Sequence, residues 1–368
     1  MKKRFEYSRK KKFLRELYRF FNQIIFSPVS IFQFFFNNII YKFFFAHKKK
    51  ETRGHLSQSK KIAIYLIFPK KGLEKSHVNS LDLLISKGFS PLVISNCFLK
   101  KDDVIEIKKR CFYLIERSNF GYDFGGYRDA IIFLKNKLTS LNKLILINDS
   151  VYFLDSKEKG DWFDFVNSSS LDFIGATSHG SLKKPSFKEV ENLNTIVRRI
   201  DKNTRNFHYA SYALGFSEKI LKDKYFFDFW HNIRLTKIKN KVVRRGEIGL
   251  TRWVIKNNYS HGSWIETEEI IEGFFELSKD KLLEISFNLS VENGQTLEVK
   301  KYYSNIIREL SKEEIINFLY FHISRYNLAY SLTNYLIKDL NFSFIKKKSL
   351  VLDNKIKDFY LKNISKNL

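Results

Sequence analysis

From Lys60 onward, short apolar runs alternate with stretches in which apolar residues recur every three or four positions. The run IAIYLIF (62–68) is short, β-branched and aromatic, which predicts a buried strand. HVNSLDLLISKGF (77–89) has helical spacing at Val78, Leu81, Leu83 and Leu84, and ends at Gly88 as helices commonly do. PLVIS (91–95) predicts the next strand, with Asn96 at its carboxyl end. A charged helix near 101–110 leads to a strand CFYLI (111–115), then to NFGYDFGGYRDA (119–130), whose end opens a helix over 128–138. KLILI (143–147) predicts a further strand, stopped by Asn148, Asp149 and Ser150.

This rhythm predicts an α/β fold with a doubly wound, mostly parallel sheet. In such sheets ligands bind beyond the carboxyl ends of the strands. Asn96, the 119–129 loop and the Asn148-Asp149-Ser150 turn all fall there. After DFIGA (172–176) the pattern loosens. FHYASYALGFS (207–217) predicts one more strand, followed by a helix through YFFDFWHNI (225–233). GEIGLTRWVIKNN (246–258) predicts a helix with Glu247 near its start. Beyond about 276 the pattern is helical, rich in Tyr, Phe and Lys, and suggests no site. The expected organisation is a segment 1–55, a domain 56–275 and a helical region 276–368.

The N-terminal segment differs. An uncharged run from Phe20 to Tyr41 has the length of a membrane span. Its seven Asn, Gln and Ser residues are expensive in hydrocarbon. On a helix they occupy an arc of about 160°, opposite Phe21, Ile24, Phe32, Phe35, Phe36 and Ile39. With lysine clusters on both sides, this pattern predicts a helix lying in the interface of an anionic leaflet, divided in two at Pro28. A helical hairpin packed on the main domain, or a true span, is the alternative.

Charge sharpens that picture. The 368 residues carry a formal +26, and residues 1–55 hold 14 Lys or Arg against 3 Glu. An excess so placed suits an anionic surface better than a nucleic-acid module, of which no signature is present. A basic nucleic-acid-binding protein remains the rival from another class. Two cysteines, Cys97 and Cys111, give neither a disulfide framework nor metal-ligand spacing, which fits buried thiols in a reducing cytoplasm.

Candidate chemistry sits at the strand ends. Gly125 and Gly126 before a helix could free backbone N–H groups for an anion, aided by the helix N-terminus. Arg128 could stabilise a diphosphate, and Asp123 or Asp129 could accept from sugar hydroxyls. A tight turn with a capping aspartate explains the same residues without a ligand. Asp149 is a carboxylate able to bridge a metal to a diphosphate, with His208 and Glu247 as supports.

The segments NFGYDFGGYRDAI, LILINDSVYF, DFIGATSH, HYASYALGF and EIGLTRWVIKNN resemble, in order, the rhamnan synthesis F family of bacterial polysaccharide glycosyltransferases. The resemblance covers roughly residues 60–260. It implies a GT-A-like fold and transfer of a sugar, often a deoxyhexose such as rhamnose, from a nucleotide-sugar to a growing cell-surface glycan. It implies that Asn119, Asp123, Gly125, Gly126 and Arg128 surround the donor nucleotide, and Asn96, Asp129 and Asn148, at the same strand ends, are expected to bind the nucleotide-sugar with them. Asp149 and His208 would hold a divalent cation (Mg²⁺ or Mn²⁺). Glu247 would be the catalytic base, with Asp149 as rival, since glycosyl transfer needs a base for the acceptor hydroxyl. Only one carboxylate stands where many such enzymes carry D-x-D, which leaves metal dependence open and admits a catalytically degenerate assembly partner. The acceptor would be lipid-linked and the enzyme peripheral at the cytoplasmic face of the cell membrane, with no nucleic acid as partner.

Overall fold

The structure is a computed structural model that describes residues 9–154, 160–292 and 294–348. The strands are β1 (Lys50–Arg53), β2 (Lys61–Ile67), β3 (Ser90–Ser95), β4 (Tyr113–Glu116), β5 (Lys143–Asn148), β6 (Val151–Phe153), β7 (Phe173–His179), β8 (His208–Tyr209), β9 (Ala213–Ser217), β10 (His261–Ile265) and β11 (Phe344–Lys346). A nine-stranded sheet has the order β1-β4-β3-β2-β5-β9-β7-β10, with β8 paired to β7. β4, β3, β2 and β5 are parallel neighbours. β9 is antiparallel to both β5 and β7, so β7 and its parallel partner β10 run with the rest. The largely parallel α/β sheet expected from the alternating pattern is present. A second, two-stranded sheet pairs β6 with β11.

The near-continuous apolar strands are explained by burial on both faces. In β2, Ala63, Tyr65 and Ile67 face one core, and Ile62, Ile64 and Leu66 the other. The first core is covered by α2 (Lys75–Ser86), α3 (Lys101–Lys108) and α5 (Trp162–Ser168). Six later helices cover the same face: α10 (Thr267–Glu276), α11 (Lys279–Phe287), α12 (Gln295–Ile306), α13 (Lys312–Ile323), α14 (Leu328–Ser331) and α15 (Thr333–Leu340). The second core lies under α4 (Tyr122–Phe133), α6 (Glu218–Lys222), α7 (Lys224–Asn232), α8 (Lys239–Arg245) and α9 (Glu247–Lys256).

Three elements depart from their expected form. Residues 207–217 make two strands, because the chain turns at Ala210–Tyr212 between β8 and β9. α4 begins at Tyr122, before Gly125 and Gly126, so both glycines lie inside the helix instead of ahead of it. The N-terminal segment is one helix, α1 (Arg9–Phe44), with Pro28 within it. A proline inside a long helix removes one backbone hydrogen bond and bends the helix without having to end it.

α1 exposes much of its apolar side: Phe21, Ile24, Phe32, Phe35, Phe36 and Ile39 are all exposed, Phe35 by 62%. Only near its end does it enter the body, with Asn37 and Tyr41 buried. Among the described residues, no helix is long and apolar enough to cross a membrane. The basic start of the chain, residues 1–8, lies outside the described residues.

Candidate functional site

The chain lays β2, β3 and β4 outward on one side, then returns to add β5 against the other edge of β2. Between β2 and β5 the winding therefore reverses, and such a switch point opens a crevice at the strands' carboxyl ends. Asp149 stands there, one residue past β5. Its Oδ2 accepts from the Phe68 N–H at 2.7 Å, where β2 ends, and faces His77 Nε2 at 3.2 Å. The Glu74 N–H donates to His77 Nδ1 at 2.9 Å, so a neutral His77 carries its proton on Nε2 and donates it to Asp149. His77 is the third residue of α2, in its capping box.

Asn148, the last residue of β5, donates from Nδ2 to Asp123 Oδ2 at 3.1 Å, and its Oδ1 accepts from the Ser150 N–H at 3.1 Å. Asp123 lies in the first turn of α4, where burial and the nearby Glu247 carboxylate push its carboxyl up to about 6. The turn between β8 and β9 joins the two halves of the crevice. The Ser211 carbonyl accepts from Tyr127 Oη at 3.0 Å and from Asn148 Nδ2 at 3.5 Å. The Ser211 N–H donates to Glu247 Oε1 at 3.1 Å. Glu247 opens α9, where a carboxylate also favours the helix dipole.

The other oxygen of Glu247 is 3.8 Å from His208 Nε2. His208 Nδ1 lies 2.7 Å from the Asn206 carbonyl, which can only accept, so Nδ1 carries a proton. A neutral His208 then presents its Nε2 lone pair beside Glu247, the arrangement in which a histidine ligates metal. Among the described residues no group of three or more His, Cys, Asp or Glu is arranged to hold a metal. A divalent ion that shares a nucleotide diphosphate needs only one or two protein donors, and this set meets that requirement.

Lys346 comes from β11. Its Nζ lies 3.9 Å from the Tyr212 ring centre and donates to Ser150 Oγ at 3.3 Å. Burial pushes its ammonium down to about 8, opposed by Glu247 and Asp123.

The structure thus brings together Asp123, Asn148, Asp149, His208 and Glu247, though Asp149 pairs with His77 and His208 with Glu247. Of the other expected residues, Asn96, Arg128 and Asp129 belong to a network behind α4. Asp129 is buried and accepts from Tyr41 Oη, from Arg117 Nε at 2.7 Å and from Lys49 Nζ at 2.9 Å. Arg117 also donates to Asn96 Oδ1 at 2.6 Å and to the Phe120 carbonyl at 2.7 Å. Arg128 donates to the His231 carbonyl at 3.2 Å and lies 5.4 Å from the Tyr41 ring centre. Asn119 lies in the loop before α4, its Oδ1 buried without a hydrogen-bond partner among the described residues.

The glycines answer to packing. A Cβ on Gly126 would stand 2.2 Å from Leu66 Cδ1, and one on Gly125 2.1 Å from the Phe120 carbonyl oxygen. They let α4 lie close on β2 and on its own leading loop. His77, Ser211 and Lys346 are site residues that the sequence pattern did not single out. For Lys346 there was one faint signal, the period-two alternation of Phe342 and Phe344 just before it.

A family model described as rhamnan synthesis protein F matches residues 92–313. An uncharacterized protein of Sinorhizobium fredii, y4gN, is 31% identical over 223 residues, which is 61% of this chain and 53% of that protein. The virulence protein VirA of Vibrio anguillarum is 27% identical over 175 residues, 46% of this chain and 47% of that one. The chain therefore spans about half the length of the curated relatives it matches. Solved structures similar to it include core-mannan synthase A of Aspergillus fumigatus in its Mn/GDP form. There the TM-score is 0.30 and the identity 6%, over 58% of this chain and 74% of that one. The mannosyltransferase Ktr4p of S. cerevisiae in complex with GDP gives a TM-score of 0.25 and 10% identity, over 55% of this chain and 66% of that one.

Proposed function

The chain belongs to the rhamnan synthesis protein F family, and from that premise we propose that it is a glycosyltransferase of polysaccharide synthesis. In this reading it moves rhamnose or a similar deoxyhexose from a nucleotide-sugar to a growing, lipid-linked cell-surface glycan. The observation that carries the reading is the hydrogen-bonded chain Asp123–Asn148–Ser211–Glu247 across the crevice at the sheet's switch point.

The donor's diphosphate lies over the ends of β2 and β5, and the acceptor hydroxyl approaches Glu247. The hydroxyl oxygen attacks the anomeric carbon, and its proton passes to a Glu247 oxygen. The bond from the anomeric carbon to the diphosphate breaks, and the diphosphate leaves with the electron pair. Ser211 fixes one Glu247 oxygen through its N–H, leaving the other to take the proton. Lys346 stands where negative charge grows on the leaving group. Asp149 and His208 would hold a divalent ion, which when bound offsets diphosphate charge. The exposed apolar face of α1, with its lysines and arginines, lies on the inner leaflet of the membrane and keeps the domain near lipid-linked acceptors.

Thermal-shift binding to a panel of nucleoside diphosphates and nucleotide-sugars, with and without Mn²⁺, tests the donor site. A ligand at a hundredfold its dissociation constant adds about 2.7 kcal/mol. Stabilisation by one nucleoside diphosphate, weakened in Lys346→Ala, is the expected result, with any metal enhancement lost in Asp149→Ala. A folded sample that responds to no nucleotide overturns the reading.

A further inference from the structure

Where α1 meets the body there is a cavity of about 650 Å³ that the sugar-transfer chemistry does not use. Ile40 and Phe44 of α1 line it together with Phe45, Phe120 and Ile238. Phe45 and Phe120 stack at 4.9 Å between ring centres, and Tyr41 closes against Phe120 at 5.4 Å, so this wall is a continuous aromatic surface. Phe44 and Ile238 remain exposed, at 61% and 40%. A void of this size falls within the range of small-ligand sites.

Its charged groups are of one sign. Lys48 and Lys237 are both lining residues and both exposed, and no acidic side chain is among the lining residues. Lys237 Nζ lies 5.3 Å from the Phe45 ring centre, directly above the aromatic wall. Asn37, buried at 7% exposure, adds a carboxamide on the α1 side. Two cations over an uncharged aromatic floor fit an amphiphile with an anionic head and a hydrocarbon tail. They do not fit a free anion, which has no use for the floor, or a neutral hydrocarbon, which has no use for the lysines. The cavity opens beside the exposed apolar face of α1, the face that would meet the leaflet in which such a molecule resides.

We propose that this cavity is a lipid-phosphate site, taking the first part of one hydrocarbon chain against Phe45, Phe120 and Ile40 and its phosphate between Lys48 and Lys237. The proposal rests on the membrane-surface reading of α1 and extends it from surface adhesion to capture of a single lipid. A single chain alone gives only marginal binding, with an association constant of about 10⁴ M⁻¹, so the two lysines supply the second contribution. Each lysine beside an anionic lipid is worth about a fivefold change in affinity.

The test is calorimetric titration of the full chain with lysophosphatidic acid below its micellar concentration. The matching monoacylglycerol and inorganic phosphate serve as separate arms. Lysophosphatidic acid is expected to bind about tenfold or more tightly than either fragment. Lys48→Gln with Lys237→Gln should weaken it about twenty-fivefold, and Ile238→Glu, at an exposed position, should weaken it without unfolding the chain. Equal binding of lysophosphatidic acid and monoacylglycerol overturns the proposal, as does binding unchanged in the double variant. Vesicles of phosphatidylglycerol provide the control: vesicle binding without binding of the monomeric lipid sinks the cavity and leaves the surface helix standing. Nucleotide thermal shifts are read on the same samples without lipid, so failure here is separable from failure of the transferase reading.

Discussion

Asp123 has the carboxylates of Glu247 and Asp149 and the ammonium of Lys346 near it, and it accepts from Asn148 Nδ2, a contact that a protonated or an ionised form can make. Its ordinary carboxyl value of 3.8 is raised to about 6 by burial and by Glu247. A raised folded value means that stability from this group is full below about 3.8 and is lost as pH rises through about 6. At pH 7.5 its ionisation costs about 3 kcal/mol. Asp123→Asn keeps the acceptor for Asn148 and is expected to raise unfolding stability by about 1 to 3 kcal/mol at pH 7.5, with little change at pH 4. Urea denaturation at the two pH values decides it; equal effects at both would remove Asp123 from the electrostatics of the site. At Glu247 the expectation is kinetic: Glu247→Gln lowers the transfer rate by about 10² to 10⁴ while nucleotide affinity is kept. A variant with normal turnover would return the base to Asp149. The sequence marked Asp123, Asp149, His208 and Glu247 because ionisable residues at strand and helix ends stand out against an apolar pattern. It could not mark Ser211, which acts through its backbone, or His77, which looks like any first-turn helix residue.

Helix α4 shows how an element can be recognised and its start misplaced. The Gly-rich stretch was legible as unusual, but a glycine demanded by a ligand and one demanded by a neighbouring helix or strand leave the same letter in the sequence. Here Gly121 has φ +84 and starts the helix, while Gly125 and Gly126 permit its approach to Phe120 and Leu66. Gly125→Ala sets a methyl against a backbone carbonyl that cannot step aside, so a loss of about 3 kcal/mol is expected. Gly126→Ala meets the end of a leucine side chain and should cost about 1 to 2 kcal/mol. Chemical denaturation ranks the pair; the reverse order would contradict the packing account. Behind the same helix, Asp129 and Arg117 are each only 1% exposed. Removing Asp129 as Asp129→Ala leaves that guanidinium uncompensated and should cost about 3 to 5 kcal/mol, read from the same unfolding curves. α1 is the reverse case: its polar and apolar arcs were readable, but its continuity through Pro28 depends on the whole helix and not on one residue.

For the whole molecule, the parallel sheet was legible because strands buried on both faces are apolar throughout, and the helices between them keep a 3.6-residue period. The late return of the chain was not. Nothing local says that β11 will pair with β6, some 190 residues earlier, and bring Lys346 to the crevice, because strand pairing at that distance is set by the finished core. The exposed side of α1 is the other property of the whole. Phe21→Asp with Ile24→Asp and Phe35→Asp is expected to abolish co-sedimentation with anionic vesicles while leaving nucleotide thermal shifts unchanged. Unaltered sedimentation would mean that lysines alone hold the chain to lipid.

The pairing of β6 with β11 also orders events in time. A ribosome adding about 5 to 20 residues per second needs roughly 15 to 60 s to pass from the end of α1 to Lys346. Throughout that interval the aromatic face of α1 exists and the crevice lacks its lysine. The nascent chain therefore presents an exposed aromatic helix well before Lys346 can reach the crevice.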